Sequence, residues 1–216
     1  MKKLYPILII SLLILSVGFS QQEYDGNDII EMDNGLWSVK FSDEPITGKV
    51  YGYFGEVKPY KKVYIGNLRN GKREGKWVSY YNSTGKKMYE FNFKDGKPDG
   101  LSTNWYENGQ KSKEGTIKDG KRVGVHTEWY ENGQQMWEVI FKDGDKVSGF
   151  SWHVNGQKRM KRTYKNGEFY GLQTTWYENG QKKEESTHKD GKLIDSKCWH
   201  EDGNECECDL FGFGCN

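Results

Sequence analysis

Trp105-Tyr106-Glu107-Asn108-Gly109-Gln110 returns as Trp129-Tyr130-Glu131-Asn132-Gly133-Gln134 and again as Trp176-Tyr177-Glu178-Asn179-Gly180-Gln181. Looser copies stand at Tyr80-Tyr81 with Gly85, at Trp152-His153-Val154-Asn155-Gly156 and at Trp199-His200-Glu201-Asp202-Gly203. The lead aromatics are 25, 24, 23, 24 and 23 residues apart. A fixed period of this size marks a repeat array, in which each unit packs chiefly on its neighbours.

Each unit carries two turn signals. Asn-Gly after the Trp-Tyr pair is a strong short-range hairpin signal, because both central residues of a type I′ turn need positive φ. A second signal closes each unit, at Asn70-Gly71, Asp95-Gly96, Asp119-Gly120, Asp143-Gly144, Asn166-Gly167 and Asp190-Gly191. Two turns imply two strands per unit and a chain that runs up and down.

Alternation supports this. Leu101, Thr103 and Trp105 fall on one side and Ser102, Asn104 and Tyr106 on the other; Val125, Thr127, Trp129 and Leu172, Thr174, Trp176 repeat the first set. A period of two with one apolar side marks a half-buried strand. Eight residues past each turn glycine stand Phe93, Ile117, Phe141, Tyr164 and His188. This column is expected to lie beside the column Trp105, Trp129, Trp152, Trp176 and Trp199 and to form the repeat core with it. Trp129→Ala is then expected to cost on the order of 3–5 kcal/mol. Helix is disfavoured: Gly and Asn recur too often, and apolar residues do not repeat at three and four. The expected fold is all-β, an elongated single-layer antiparallel β-meander of tandem hairpins.

The fourth unit is shorter between Gly149 and Trp152 and has Val154 in the usual Glu position, which points to a bulge or bend. Gly48 to Tyr53 and Val63 to Gly71 echo the pattern ahead of the clear units.

The ends differ from the array. Lys2 and Lys3, the apolar stretch Leu4 to Val17 and the small residues of Gly18-Phe19-Ser20 read as a signal peptide over 1–20, cleaved before Gln21. The expected organisation is that segment, a lead-in over 21–47 that is flexible at 21–32, the array over 48–203 and a Cys-rich cap over 204–216. Beyond residue 20 the chain has 30 basic and 31 acidic residues, interleaved, so nucleic acid is not an expected partner. Only 32 of those 196 residues are Leu, Ile, Val or Phe, too few for a thick two-layer globule.

Catalytic and metal chemistry are not signalled. His153 and His200 occupy equivalent slots two units apart, roughly 20 Å at the spacing of paired strands, too far to share a metal. His126 and His188 read as ordinary sheet residues. No nucleophile triad, phosphate-cradling loop or zinc motif appears, and the glycines are committed to turns. No enzyme activity, cofactor or metal is expected.

With its lead aromatics and turns, the pattern Gly-x4-Trp-Tyr-Glu-Asn-Gly-Gln…Lys-Asp-Gly-Lys-x2-Gly resembles the bacterial variant of the MORN repeat, in proteins grouped as the YwqK-type antitoxin family. Asp43-Glu44-Pro45-Ile46-Thr47-Gly48 is similar to the lead-in of that group. The resemblance covers about residues 33–203. It implies an elongated hairpin array that binds proteins or membranes and has no catalytic residues.

Cys198, Cys206, Cys208 and Cys215 all fall near the C-terminal end. An exported chain meets an oxidising compartment, so two disulfides are expected, with three possible pairings. Cys206 and Cys208 are too close to pair easily, so each is expected to bridge to Cys198 or Cys215. The rival is a zinc knuckle of four thiolates. Phe211 and Phe213 are candidates to pack over that end.

Two function classes follow. The first is an exported binding or scaffold module, periplasmic, cell-surface or secreted, for a protein or cell-envelope partner. Its candidate contact residues are Tyr81, Tyr106, Tyr130 and Tyr177, since tyrosine offers a flat apolar body and one hydroxyl. The second is a membrane or cell-wall association element that does not span the bilayer once the signal is removed. An antitoxin or immunity-type role stands third.

Overall fold

The computed structural model describes residues 22–54, 61–209 and 214–215. The signal segment, Phe211 and Phe213 lie outside them. Three short strands come first: β1 (Glu23–Asp25), β2 (Ile29–Glu31) and β3 (Trp37–Val39). The chain then runs back and forth through β4 (Gly48–Phe54), β5 (Lys61–Arg69), β6 (Lys72–Tyr80), β7 (Lys87–Lys94), β8 (Lys97–Trp105) and β9 (Lys111–Lys118). It continues through β10 (Lys121–Trp129), β11 (Gln135–Lys142), β12 (Asp145–Trp152), β13 (Lys158–Lys165) and β14 (Glu168–Phe169). Last come β15 (Gly171–Trp176), β16 (Lys182–Lys189), β17 (Lys192–Trp199) and β18 (Glu205–Cys206).

Sixteen of these strands form one open sheet in which almost every strand pairs with its sequence neighbours; β1 joins parallel to β4, and β2–β3 is a separate hairpin. The array is the expected single-layer meander. Among the described residues there is no helix. The lead-in is not loose: Ile29, Ile46, Val50, Leu68 and Trp77 form a buried cluster, with Tyr24, Trp37, Val39, Ile65 and Phe93 packed around it. Its aliphatics, sparse elsewhere, cover the first edge of the sheet and build the core there.

The two turn signals have different geometries. In the closing turns both residues have positive φ, as at Asp119 (50°) and Gly120 (75°), which is the type I′ pattern. In the repeated phrase only the glycine does: Gly109 has φ 94°, while Asn108 keeps negative φ. The expectation of type I′ at both turns is therefore corrected. Asn108 acts through its side chain, whose Oδ1 accepts the Gln110 N–H at 2.8 Å. The Gly109 N–H donates to the Tyr106 carbonyl at 2.9 Å, and the Tyr106 N–H to the Gln110 carbonyl at 2.8 Å.

A regular flaw follows each closing turn. Strands β9 and β10 pair through Val123↔Thr116, lose step at Gly124, and resume at Thr127↔Glu114. A skipped rung leaves backbone groups that need partners. Side chains supply them. His126 Nε2 lies 2.9 Å from the Thr116 carbonyl. Trp77 Nε1 donates to the Asn67 carbonyl at 3.1 Å. The Gln173 amide takes the Thr163 N–H at 2.9 Å and donates to the Thr163 carbonyl at 3.1 Å. Each bond spans ten residues. Between β7 and β8 the opposite strand provides it, with Asn92 Nδ2 donating to the Leu101 carbonyl at 2.7 Å. The short fourth unit slips by one residue instead, between Ile140 and Phe141.

Register assigns the two faces. One row crosses eleven strands: Val78, Glu90, Thr103, Glu114, Thr127, Glu138, Phe150, Lys161, Thr174, Glu185 and Lys197. The tryptophan column belongs to this first face. Lys111 lies over the Trp129 ring at 5.9 Å and pairs with Glu114 of the row at 2.6 Å. The second face carries Trp77, Phe91, Ser102 and Gly115, then His126, Val139, Gly149 and Arg162, then Gln173, Ser186 and Ser196.

Phe93 pairs with Gly75, Ile117 with Gly100, Phe141 with Gly124 and His188 with Gly171, all on the second face. The return-strand column therefore does not lie beside the tryptophans, as expected from sequence, but backs onto them through the sheet. A one-residue register shift beside the tryptophans, as between Asn104 and Trp105 and between Glu128 and Trp129, flips the face that simple counting assumes. Nor is the tryptophan side dry. Trp105, Trp129, Trp152, Trp176 and Trp199 are half-buried, and Leu101, Val125 and Leu172 are about half exposed at 48%, 50% and 51%.

At the far end, Cys198 joins Cys208 and Cys206 joins Cys215, with Cα–Cα distances of 5.3 and 5.7 Å. The four thiols are used, so no thiolate remains for a zinc knuckle. The bridges hold β18 against β17, over the last open edge.

Candidate binding face

The tyrosines are committed to the fold. The Tyr81 hydroxyl donates to the Trp105 carbonyl at 2.7 Å, Tyr106 to Trp129 at 2.6 Å, Tyr130 to Trp152 at 2.9 Å and Tyr177 to Trp199 at 2.9 Å. His153 fills the vacant slot, with Nε2 3.0 Å from the Trp176 carbonyl. Each ring ties its unit to the next. The turn asparagines add a second tie: Asn108 Nδ2 donates to the Glu131 carbonyl at 2.9 Å, and Asn155 and Asn179 do the same to Glu178 and Glu201 at 2.8 Å. All four tyrosines are half-buried. Burial first, then the Glu131 carboxylate, raises the Tyr106 phenol above its usual value.

Three of the four glutamates in the first-face row are held by lysines. Glu90 holds Lys87 at 2.8 Å and Lys76 at 2.6 Å, Glu114 holds Lys111, and Glu185 holds Lys182 at 2.6 Å. Burial pushes the Glu90 carboxyl up, but the two lysines outweigh it and hold the group below its ordinary value. The lysine stems also lie over the indoles, Lys87 5.4 Å from the Trp105 ring and Lys182 5.6 Å from that of Trp199.

The second face is open. Three clefts lie along it. One of about 620 Å³ is lined by Trp77, Tyr89, Phe91 and Phe93 with Arg73. One of about 250 Å³ is lined by Trp137, Phe141 and Tyr164 with Arg122, Lys146 and Arg162. One of about 630 Å³ is lined by His153, Met160, Arg162, Tyr177 and Glu184. Arginines roof the aromatics: Arg73 lies 5.2 Å from the Phe93 ring, Arg122 5.5 Å from Phe141 and Arg162 5.1 Å from Phe169. Such contacts favour the guanidinium, about 0.5–1 kcal/mol each at exposed sites. Burial lowers the His126 imidazole below its ordinary value; the Thr116 carbonyl opposes this and Arg122 adds to it.

Several buried polar atoms on this face have no hydrogen-bond partner: Ser151 Oγ, Arg162 Nη1, Glu184 Oε1, Ser186 Oγ and His188 Nδ1. Burying such groups unpaired is costly. The arginines and the rung-filling Trp77, His126 and Gln173 were not singled out from sequence. The signal was present: Gly75-Lys76-Trp77, Gly124-Val125-His126 and Gly171-Leu172-Gln173 share one glycine-to-filler spacing. His200 lies near Cys206 and Cys215, but both sulfurs are in the Cys206–Cys215 disulfide and cannot act as thiolate ligands.

Residues 98–119 and 169–190 match the family model described as a MORN repeat variant. These are two stretches of one hairpin type, in the second and fifth units, and they support reading the chain as a MORN-repeat protein. No curated protein matches the chain. Among the described residues no helix is long and apolar enough to cross a membrane, and the two disulfides are compatible with export.

Proposed function

We propose that the chain is an exported, non-catalytic binding module of the bacterial YwqK-type MORN-variant group, and that its second face receives a protein or cell-envelope partner. The observation that carries this reading is an asymmetry. Glu90, Glu114 and Glu185 of the first face are held by lysines, whereas arginine-lined clefts and unpartnered polar atoms collect on the second. Half-buried aromatics beside arginine, such as Tyr89, Phe91 and Trp137, are favoured contact groups. The tyrosine hydroxyls are already used within the fold, while the Tyr177 ring lines one of the clefts. Export rests on residues 1–20 and on the stapled end.

Affinity capture from envelope extract tests the reading. Tyr89→Ser with Trp137→Ser, both half-buried on the second face, is expected to abolish capture while the circular dichroism of the sheet is retained. Leu101→Ser with Val125→Ser, on the first face, is expected to leave it intact. The reverse pattern refutes the assignment. A membrane role is the second reading; flotation with anionic liposomes in place of protein capture would favour it.

A further inference from the structure

Strand β13 breaks the charge pattern of the array. In β7, β9, β11 and β16 the fourth residue is Glu90, Glu114, Glu138 and Glu185. In β13 it is Lys161, and the strand reads Lys158-Arg159-Met160-Lys161-Arg162-Thr163-Tyr164-Lys165, with five cations and no acid. None of the five forms an ion pair among the described residues. The same unit is the shortened one, and its shift brings Gly149 between Val139 and Arg162 on the second face. A residue without a side chain there leaves a notch.

Arg122, Lys146 and Arg162 surround that notch, a cleft of about 250 Å³ floored by Phe141, Gly149 and Tyr164. The acid lining it, Glu128, is engaged with Lys113 at 3.1 Å. Arg162 Nη1 is buried with no acceptor. Three cations around one small recess, with a donor unused, match a carboxylate. The neighbouring cleft, which Arg162 also lines, contains Glu184 and lacks this one-sided charge.

We propose that this notch is the anchor point of the second face and takes an Asp or Glu side chain from an acidic, extended segment of a protein partner. The inference rests on the second face being the binding face. A carboxylate on a side chain fits better than a lipid headgroup, because the site is a recess between Trp137 and Tyr164 and the chain as a whole has almost no net charge.

Fluorescein-labelled hexaglutamate, followed by anisotropy against the purified protein, is the test. Saturable binding that weakens with salt is expected, and hexalysine is not expected to bind in its place. Lys146→Gln with Arg162→Gln is expected to lower affinity at least tenfold, while Lys197→Gln on the first face leaves it unchanged. Gly149→Asp guards against a merely unfolded variant. Its Cβ meets only ordinary contacts, 3.6 Å from the Glu138 carbonyl oxygen and 3.7 Å from Val139. A tethered carboxylate there is expected to block hexaglutamate and raise the melting temperature. No saturable hexaglutamate binding, or binding that survives both substitutions, overturns the inference. So does co-sedimentation with phosphatidylglycerol vesicles that is lost in the double variant while hexaglutamate fails to bind. Hexaglutamate binding does not use the native partner. Lost capture with intact hexaglutamate binding would separate the two readings, as would the converse.

Discussion

The Tyr106 hydroxyl donates to the Trp129 carbonyl at 2.6 Å, a bond that spans 23 residues and joins two neighbouring repeats. The same bond recurs along the array and turns a row of expected contact residues into a spine. Tyr106→Phe removes only the oxygen. The expected cost is about 1 kcal/mol in urea unfolding, the usual net value of one hydrogen bond. Adding Tyr130→Phe and Tyr177→Phe should sum within a few tenths of a kcal/mol per step, as for well-separated sites. No change in the triple variant would show that the spine is incidental.

Trp129 is half-buried rather than enclosed. Trp129→Ala should therefore cost about 2 kcal/mol, below the range for fully buried aromatics. A denaturant midpoint series with Phe141→Ala makes the comparison. Phe141 is 7% exposed under Arg122, so its loss should cost more, about 3–5 kcal/mol. The opposite order would contradict the face assignment.

His126 should give the sheet a pH dependence. Its folded value lies below 6.5, with burial the first cause. As pH falls through 6.5, the unfolded chain takes up a proton that the folded chain still refuses. Stability is therefore full above that pH and is lost on acidification, until the folded imidazole also titrates. His126→Gln places at this slot the residue that Gln173 already uses for the same bond. The difference between the two proteins in melting temperature against pH should appear below pH 6.5 and vanish above it. A constant difference would refute the linkage.

The skipped rungs make Gly115 intolerant. A Cβ there would overlap the His126 ring. Gly115→Ala should cost on the order of 2 kcal/mol, in the range of an overpacked core site. Gly124→Ala meets no atom within 4 Å, and its φ of 68° alone should cost about 1 kcal/mol. Chemical denaturation of the two variants checks the order.

The two bridges close loops of sequence separation 10 and 9. On the chain-entropy account each contributes up to about 2.7 kcal/mol. Reduction should release β18 first and leave β4 to β16 protected in hydrogen exchange. Uniform loss of protection would mean that the cap holds the whole array.

The meander was legible because its signals are local. Turn residues and alternation are fixed by Asn108-Gly109, Asp119-Gly120 and the strands between them. The face of Phe93 and Phe141 was not. A one-residue register shift at the repeated phrase, between Ser79 and Tyr80 and between Glu128 and Trp129, turns the return strand over, and single-strand counting does not see a slip that belongs to a pair. The tie that the tyrosines make was hidden for a related reason. Their spacing is that of the repeat, but the acceptor of each hydroxyl is a backbone carbonyl one unit away, which side-chain patterns do not display. The arginine–aromatic contacts join different strands, Arg73 with Phe93 and Arg122 with Phe141, and become visible only with the register.

The central claim is a single layer of hairpins coupled unit to unit, and small-angle scattering of the purified protein tests it most directly. Sixteen strands at about 4.8 Å spacing give a sheet about 70 Å across, with a radius of gyration of about 22 Å. A compact globule of this size would measure about 16 Å, and that result would contradict the account.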